Sequence, residues 1–289
     1  MSEAKVATDV GDARPTTWIT LGRTILFAVA LIALYVALQG LTGFVLHWAG
    51  PSARLPTLLA MELVTCAVMV IAYRALVRLV ERRGASELAF DASTAFASRG
   101  ALFGAALFCA VYAVLWASGS AHYLGFDGLG GVLFAFGISI AAAFGEEIIV
   151  RGGIFRVIEE GFGTLVAVIF SASLFGALHA VNNGATLVST VSIGLEAGVL
   201  LGLAYTATRS LWFPIGIHFG WNFTEGGIFG ATVSGFKMPG VLNFPLSGPE
   251  LLTGGSFGPE ASVVAVVVCL LGSAWVARWA IRSGRWKRA

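Results

Sequence analysis

About eight stretches of this chain are apolar for roughly 20 residues each, the length needed to cross about 30 Å of hydrocarbon as a helix. They lie near Thr24–Leu46, Thr57–Leu79, Ala101–Ala117, Gly130–Val150, Thr164–Ala180, Thr186–Thr206, Leu211–Gly230 and Ala261–Ile281. A chain that is 57% hydrophobic and 12% charged, with mean hydropathy +0.85, cannot hide that much apolar surface in water. Lipid spans require every backbone polar group to be satisfied within the chain, which restricts the fold to helices or a closed barrel. Runs of this length without strict alternation specify helices. The fold class is therefore all-α, a polytopic membrane bundle.

Loop charge sets the orientation. With the N-terminus inside, the inner segments carry Lys5, Arg14, Arg23, Arg74, Arg78, Arg82, Arg83, Arg99, Arg151, Arg156, Arg209, Arg278, Arg282, Arg285, Lys287 and Arg288. The outer ones hold only Arg54 and Lys237 of the 18 Lys and Arg. Both termini are accordingly expected in the cytoplasm. The chain divides into a polar, disordered arm at 1–17, one transmembrane domain at 18–283 and a basic tail at 284–289 that anchors at anionic headgroups. The Ala- and Gly-rich makeup points to a bacterial plasma membrane. A net charge of +2 gives no footprint for nucleic acid. Cys66, Cys109 and Cys269 lie in apolar runs without metal-ligand spacing and read as buried thiols. The Gly- and Pro-rich outer loop at 231–260 is left open, as an ordered loop or as one dipping towards the membrane.

Within this apolar chain, Glu146-Glu147 closes the fourth run and Arg151 follows. A charged acid at the bilayer centre costs about 2.5–3.5 kcal/mol on insertion scales, so intramembrane acids mark function. Glu147 and Arg151, four apart, share a helix face and pair. Glu146 points about 100° away and is free to act as a general base on water. His179 ends one later apolar segment. His218 and Asn222, four apart in another, present an imidazole and a carboxamide on one face, suited to an oxyanion or a metal. Counting back from a turn at Gly161–Gly163, Glu146 stands roughly 21 Å and His179 roughly 24 Å along their helices, whereas His218 counted from Leu211 reaches only about 10 Å. Meeting there requires a tilt, an earlier helix start or a re-entrant turn. Glu62 and Glu196 read as interhelical hydrogen-bond partners within reach of a cavity. Gly194, Gly198 and Gly202 read as packing positions, and Phe175 as shape rather than chemistry.

In order, Glu146-Glu147-x-x-x-Arg151, Phe175-x-x-x-His179 and His218-x-x-x-Asn222 resemble the three motifs of the CPBP intramembrane proteases, the family of type II CAAX prenyl endopeptidases and bacteriocin-processing (Abi) enzymes. The motif-bearing core runs from about 130 to 230. The resemblance implies an endopeptidase acting on a membrane-associated peptide or protein. Glu146 would activate water, His179 would position it, Glu147 and Arg151 would brace the site, and His218 and Asn222 would hold the oxyanion. The family has been described as metal-dependent and as glutamate-dependent. If metal-dependent, Glu146, His179 and His218 would be the ligands, with zinc the candidate. The spacing lacks an H-E-x-x-H helix and Asn is a poor zinc ligand, so a metal-free reaction is favoured. The site is expected to open towards the cytoplasmic half. A proton-coupled transporter using Glu146, Glu147, Glu196 and the histidines as a relay is the alternative from another class, but it lacks the internal symmetry that transporters show.

Overall fold

The computed structural model describes residues 17–91 and 93–288. The expected N-terminal arm, apart from Thr17, lies outside the described residues, and Thr17 opens the first helix. The chain runs as α1 (Thr17–Trp48), α2 (Pro51–Glu81), α3 (Ser93–Ala117), α4 (Val132–Phe162), α5 (Thr164–His179), α6 (Leu187–Thr208), α7 (Trp212–Asn222, continued by a π-helical segment Phe223–Ile228) and α8 (Val263–Arg282). Six of these are long and apolar enough to cross a membrane; α5 and α7 are shorter. Their outer faces expose large apolar side chains, among them Ile25, Val36, Ile71, Leu102, Ile169 and Leu271, which lipid would cover.

Two local choices shape the bundle. Gly163, at φ 83°, occupies backbone that a side chain would strain, and it folds α5 back on α4. Along the α3–α7 seam the backbones touch: a Cβ on Gly220 would lie 2.7 Å from the Ala101 Cα, and one on Gly104 would lie 2.9 Å from the Trp221 nitrogen. Small residues permit this approach, which maximises dispersion contacts where no hydrophobic driving force acts between helices.

One end of the bundle gathers the polar ends of six helices. Arg23 of α1 bonds Glu81 of α2 (2.5 Å) and Glu160 of α4 (3.0 Å), while Arg156 bonds Glu81 (2.6 Å) and Glu160 (2.8 Å). Arg209, just past α6, pairs with Glu159. The C-terminal residues fold onto this end rather than trailing free. Lys287 and Thr164 exchange backbone and hydroxyl hydrogen bonds at 2.9 Å, and Arg285 donates to the Ala207 carbonyl. The two ends of the described chain therefore share one face, as an even number of passes requires.

The loop at 231–260 is ordered. Thr232–Val233 pairs antiparallel with Phe236–Lys237, and Leu242–Asn243 with Gly125–Phe126. Ser234 and Gly235 both adopt positive φ, the geometry of a tight hairpin turn. The strain at Ser234 is offset because its N–H and hydroxyl both donate to Glu260, at 2.6 and 2.8 Å. One thiol departs from expectation: Cys66 and Cys269 are buried, but Cys109 is exposed on α3. A helix bathed in lipid is apolar on every side, so its sequence gives no periodic cue to its inner face.

Candidate active site

Helix α4 carries Glu146 and Glu147 at the point where it passes into a π-helical segment, Ile148–Phe155. Such segments disturb the regular ladder and recur at functional sites. Another, Gly194–Gly198 in α6, borders the same space through Glu196 and Ala197. Arg151 Nη1 donates to Glu147 Oε1 at 2.8 Å, with both residues fully buried. Its Nη2 donates to the carbonyls of Ala197 and Gly198 at 3.2 and 3.1 Å, and its guanidinium lies 4.6 Å from the centre of the Phe175 ring. A charge buried this deeply persists only with such compensation, here through Nη1 and Nη2, while Arg151 Nε and Glu147 Oε2 have no hydrogen-bond partner among the described residues. Arg151 thus sits inside the bundle rather than in an inner loop, where charge counting had placed it.

The two imidazoles are aimed by what their Nδ1 atoms touch. His179 Nδ1 donates to the Phe175 carbonyl at 2.8 Å, and His218 Nδ1 lies 3.1 Å from Glu147 Oε1. A carbonyl only accepts, so His179 carries its proton on Nδ1. In both rings Nε2 then points at Glu146, whose Oε2 is 3.9 Å from His179 Nε2 and 4.0 Å from His218 Nε2. That Oε2 is buried and has no hydrogen-bond partner among the described residues. Asn222, one turn beyond His218, lines the same cavity of about 310 Å³. The structure therefore brings together Glu146, Glu147, Arg151, His179, His218 and Asn222.

The depth mismatch of His218 is resolved by a sunken start to α7. Tyr73 of α2 places its hydroxyl between the Glu87 carboxylate and the Gly152 carbonyl (3.2 Å). The turn carrying Glu87 therefore lies level with Gly152, well inside the end marked by Phe162. Leu211 N–H then donates to the Glu87 carbonyl at 2.8 Å and begins α7 there. Seven residues onward, roughly 10 Å of rise brings His218 level with Glu147.

On the basic side of Glu147, Tyr73, Arg151 and Arg156 are buried. The cavity's far wall is the 231–260 segment, through Ser234, Phe236, Met238 and Glu260. Glu62 accepts from Gln39 of α1 at 3.0 Å, as an interhelical partner should. Glu196 does not follow that pattern. It lines the cavity, and its Oε2 has no partner among the described residues. Sequence reasoning missed Glu225 and Glu260. Glu225 follows His218 by seven residues on the same helical face, a usable cue. Glu260 gave none, because it reaches the cavity only through the fold of its loop.

The spacing of the polar atoms bears on metal binding. Zinc ligands at about 2.0–2.1 Å draw neighbouring donor atoms to about 3.4 Å around a tetrahedral ion. The 3.9 and 4.0 Å separations here are wider. Among the described residues no group of three or more His, Cys, Asp or Glu side chains is arranged to hold a metal ion.

An all-helical membrane bundle with acids, imidazoles and a carboxamide facing one internal cavity has the architecture of an intramembrane hydrolase. Residues 128–224 match the family model for the Rce1-like type II CAAX prenyl endopeptidase, a span that includes every motif residue from Glu146 to Asn222. Over these residues the chain is similar to the CAAX-type intramembrane proteases, enzymes that hydrolyse peptide bonds. No curated protein and no solved structure matches the chain.

Proposed function

We propose that this protein is a glutamate-dependent, metal-independent endopeptidase that cuts a membrane-associated peptide or protein. Its basic end faces the cytoplasm of a bacterial plasma membrane. The observation carrying the proposal is the unpartnered Glu146 Oε2, faced by both imidazole Nε2 atoms at 3.9 and 4.0 Å. Hydrogen bonds of about 2.8 Å to two groups that far apart converge on one oxygen at about 90°, which suits a water molecule.

In the reaction, water held by Glu146 and His179 Nε2 attacks the scissile carbonyl carbon while its proton passes to Glu146. The new C–O bond leaves an oxyanion. It accepts hydrogen bonds from Nε2–H of His218, as imidazolium, and from the Asn222 carboxamide. Glu147 holds Nδ1–H of that imidazolium, and Arg151 holds Glu147. Collapse of the tetrahedral intermediate breaks the C–N bond, and Glu146 gives its proton to the leaving amine. The products are a carboxylic acid and an amine, with the Glu146 carboxylate restored.

The test compares purified wild-type protein and Glu146→Gln in liposomes, each with a complex peptide mixture and with or without chelator. Mass spectrometry reads new peptide termini. Cleavage by wild type alone, unaffected by chelator, is expected. Equal cleavage by Glu146→Gln removes the assigned base, and loss of wild-type cleavage on chelation removes metal independence.

A further inference from the structure

Away from the His179 and His218 imidazoles, the charged groups lining the cavity are carboxyls. Glu62, Glu146, Glu196 and Glu260 line it, and no Lys or Arg among the described residues does. Arg151, the nearest cation in sequence, has its guanidinium committed to Glu147 and to two backbone carbonyls. The chemistry proposed above uses Glu146 and Glu147. It gives no work to Glu196 or Glu260.

These two acids are distinct in their surroundings. Glu196 stands in the π-helical segment of α6, is 1% exposed, and lines the cavity with one carboxyl oxygen unpartnered among the described residues. Glu260 closes the far wall and is held in place by Ser234 at the hairpin turn. Behind them Glu225 is wholly buried, its carboxyl facing that of Glu260 and the Trp221 indole. Buried carboxylates without partners are costly, and a desolvated cation is the group that would most relieve them. Leu200, Leu201 and Ile193 line the same cavity and offer an apolar wall for an alkyl stem.

We propose that the region of the cavity walled by Glu196 and Glu260 is a subsite for a basic side chain, so that the enzyme selects substrates with Lys or Arg near the scissile bond. This specificity rests on the protease reading above. The alkyl stem lies against the leucines while the ammonium or guanidinium group meets the two carboxylates.

Wild type, Glu146→Gln and Glu196→Gln in liposomes are given an equimolar library of decapeptides in which each position samples all residue types, and cut sites are read by mass spectrometry. Lys or Arg is expected to be enriched at one fixed position relative to the cut with wild type, and that enrichment is expected to disappear with Glu196→Gln. A peptide so identified is then resynthesised with Gln or norleucine replacing the basic residue. The wild-type kcat/KM should fall about 10–100-fold, mostly through KM, the size expected for one charged hydrogen bond to a buried partner. This second arm needs no enzyme variant and so does not depend on Glu196→Gln folding. Cleavage without basic enrichment, or an unchanged kcat/KM for the neutral peptide, overturns the subsite and leaves the protease reading standing. Absence of any wild-type cleavage above Glu146→Gln overturns both.

Discussion

Glu147 Oε1 receives Arg151 Nη1 at 2.8 Å and stands 3.1 Å from His218 Nδ1, so one oxygen joins helices α4 and α7. A single carboxylate thereby orients the imidazole and compensates the only charge on a fully buried arginine.

Removing either half of that pair leaves the other charge stranded. Glu147→Gln and Arg151→Met should each lower stability by about 3–5 kcal/mol, the usual cost of breaking a buried ion pair. The double substitution should regain part of the loss. Thermal unfolding in detergent measures all three.

Asn222 lines the cavity beside the two imidazoles, so its removal should act on the chemistry. Asn222→Ala is expected to lower kcat by about 10²–10³ with KM little changed, as for loss of one oxyanion donor. A change confined to KM would instead make Asn222 a substrate-binding residue.

The α3–α7 seam should be intolerant of any added carbon. Gly220→Ala places a Cβ against the Ala101 backbone, which no side-chain rotation relieves. It should cost about 1–3 kcal/mol or more and displace His218, lowering both Tm and kcat. Gly40→Ala on α1, where nothing lies within 4 Å of the new carbon, should change neither.

Acid sensitivity should come from the basic end. Burial pushes the Glu87 carboxyl up, but Arg83, Tyr73 and Arg156 outweigh it and hold the group below its usual value of 4.5. A group lowered in the folded state stabilises fully above its unfolded value and loses that contribution as the pH falls through the folded one. Wild-type Tm should therefore stay level above about pH 5 and fall below about pH 4.5. Glu87→Gln should melt lower at neutral pH and show a shallower acid decline, so that the two curves converge.

The bundle was legible because lipid demands long apolar runs, and the charge bias counted Arg23, Arg156 and Arg209 onto one end, where the structure gathers them. The motif residues were legible because polar groups are rare in such runs. The level of His218 was not, since it depends on a hydrogen bond between Leu211 and Glu87, more than a hundred residues apart. Glu260 was hidden for the same kind of reason: Ser234 and its hairpin carry it to the cavity. Which side of α3 bears Cys109 was illegible because lipid and protein interior reward the same residues.

The sunken start of α7 bears on how the chain enters the bilayer. A segment this short, with His218, Asn222 and Glu225 along one face, partitions poorly into lipid by itself. Its first turn has a landing place only after the Glu87 turn and the glycines of α3 have assembled. The helix that brings His218 to the cavity should therefore be among the last to settle during biogenesis, and an incompletely inserted chain would lack that imidazole and remain inactive.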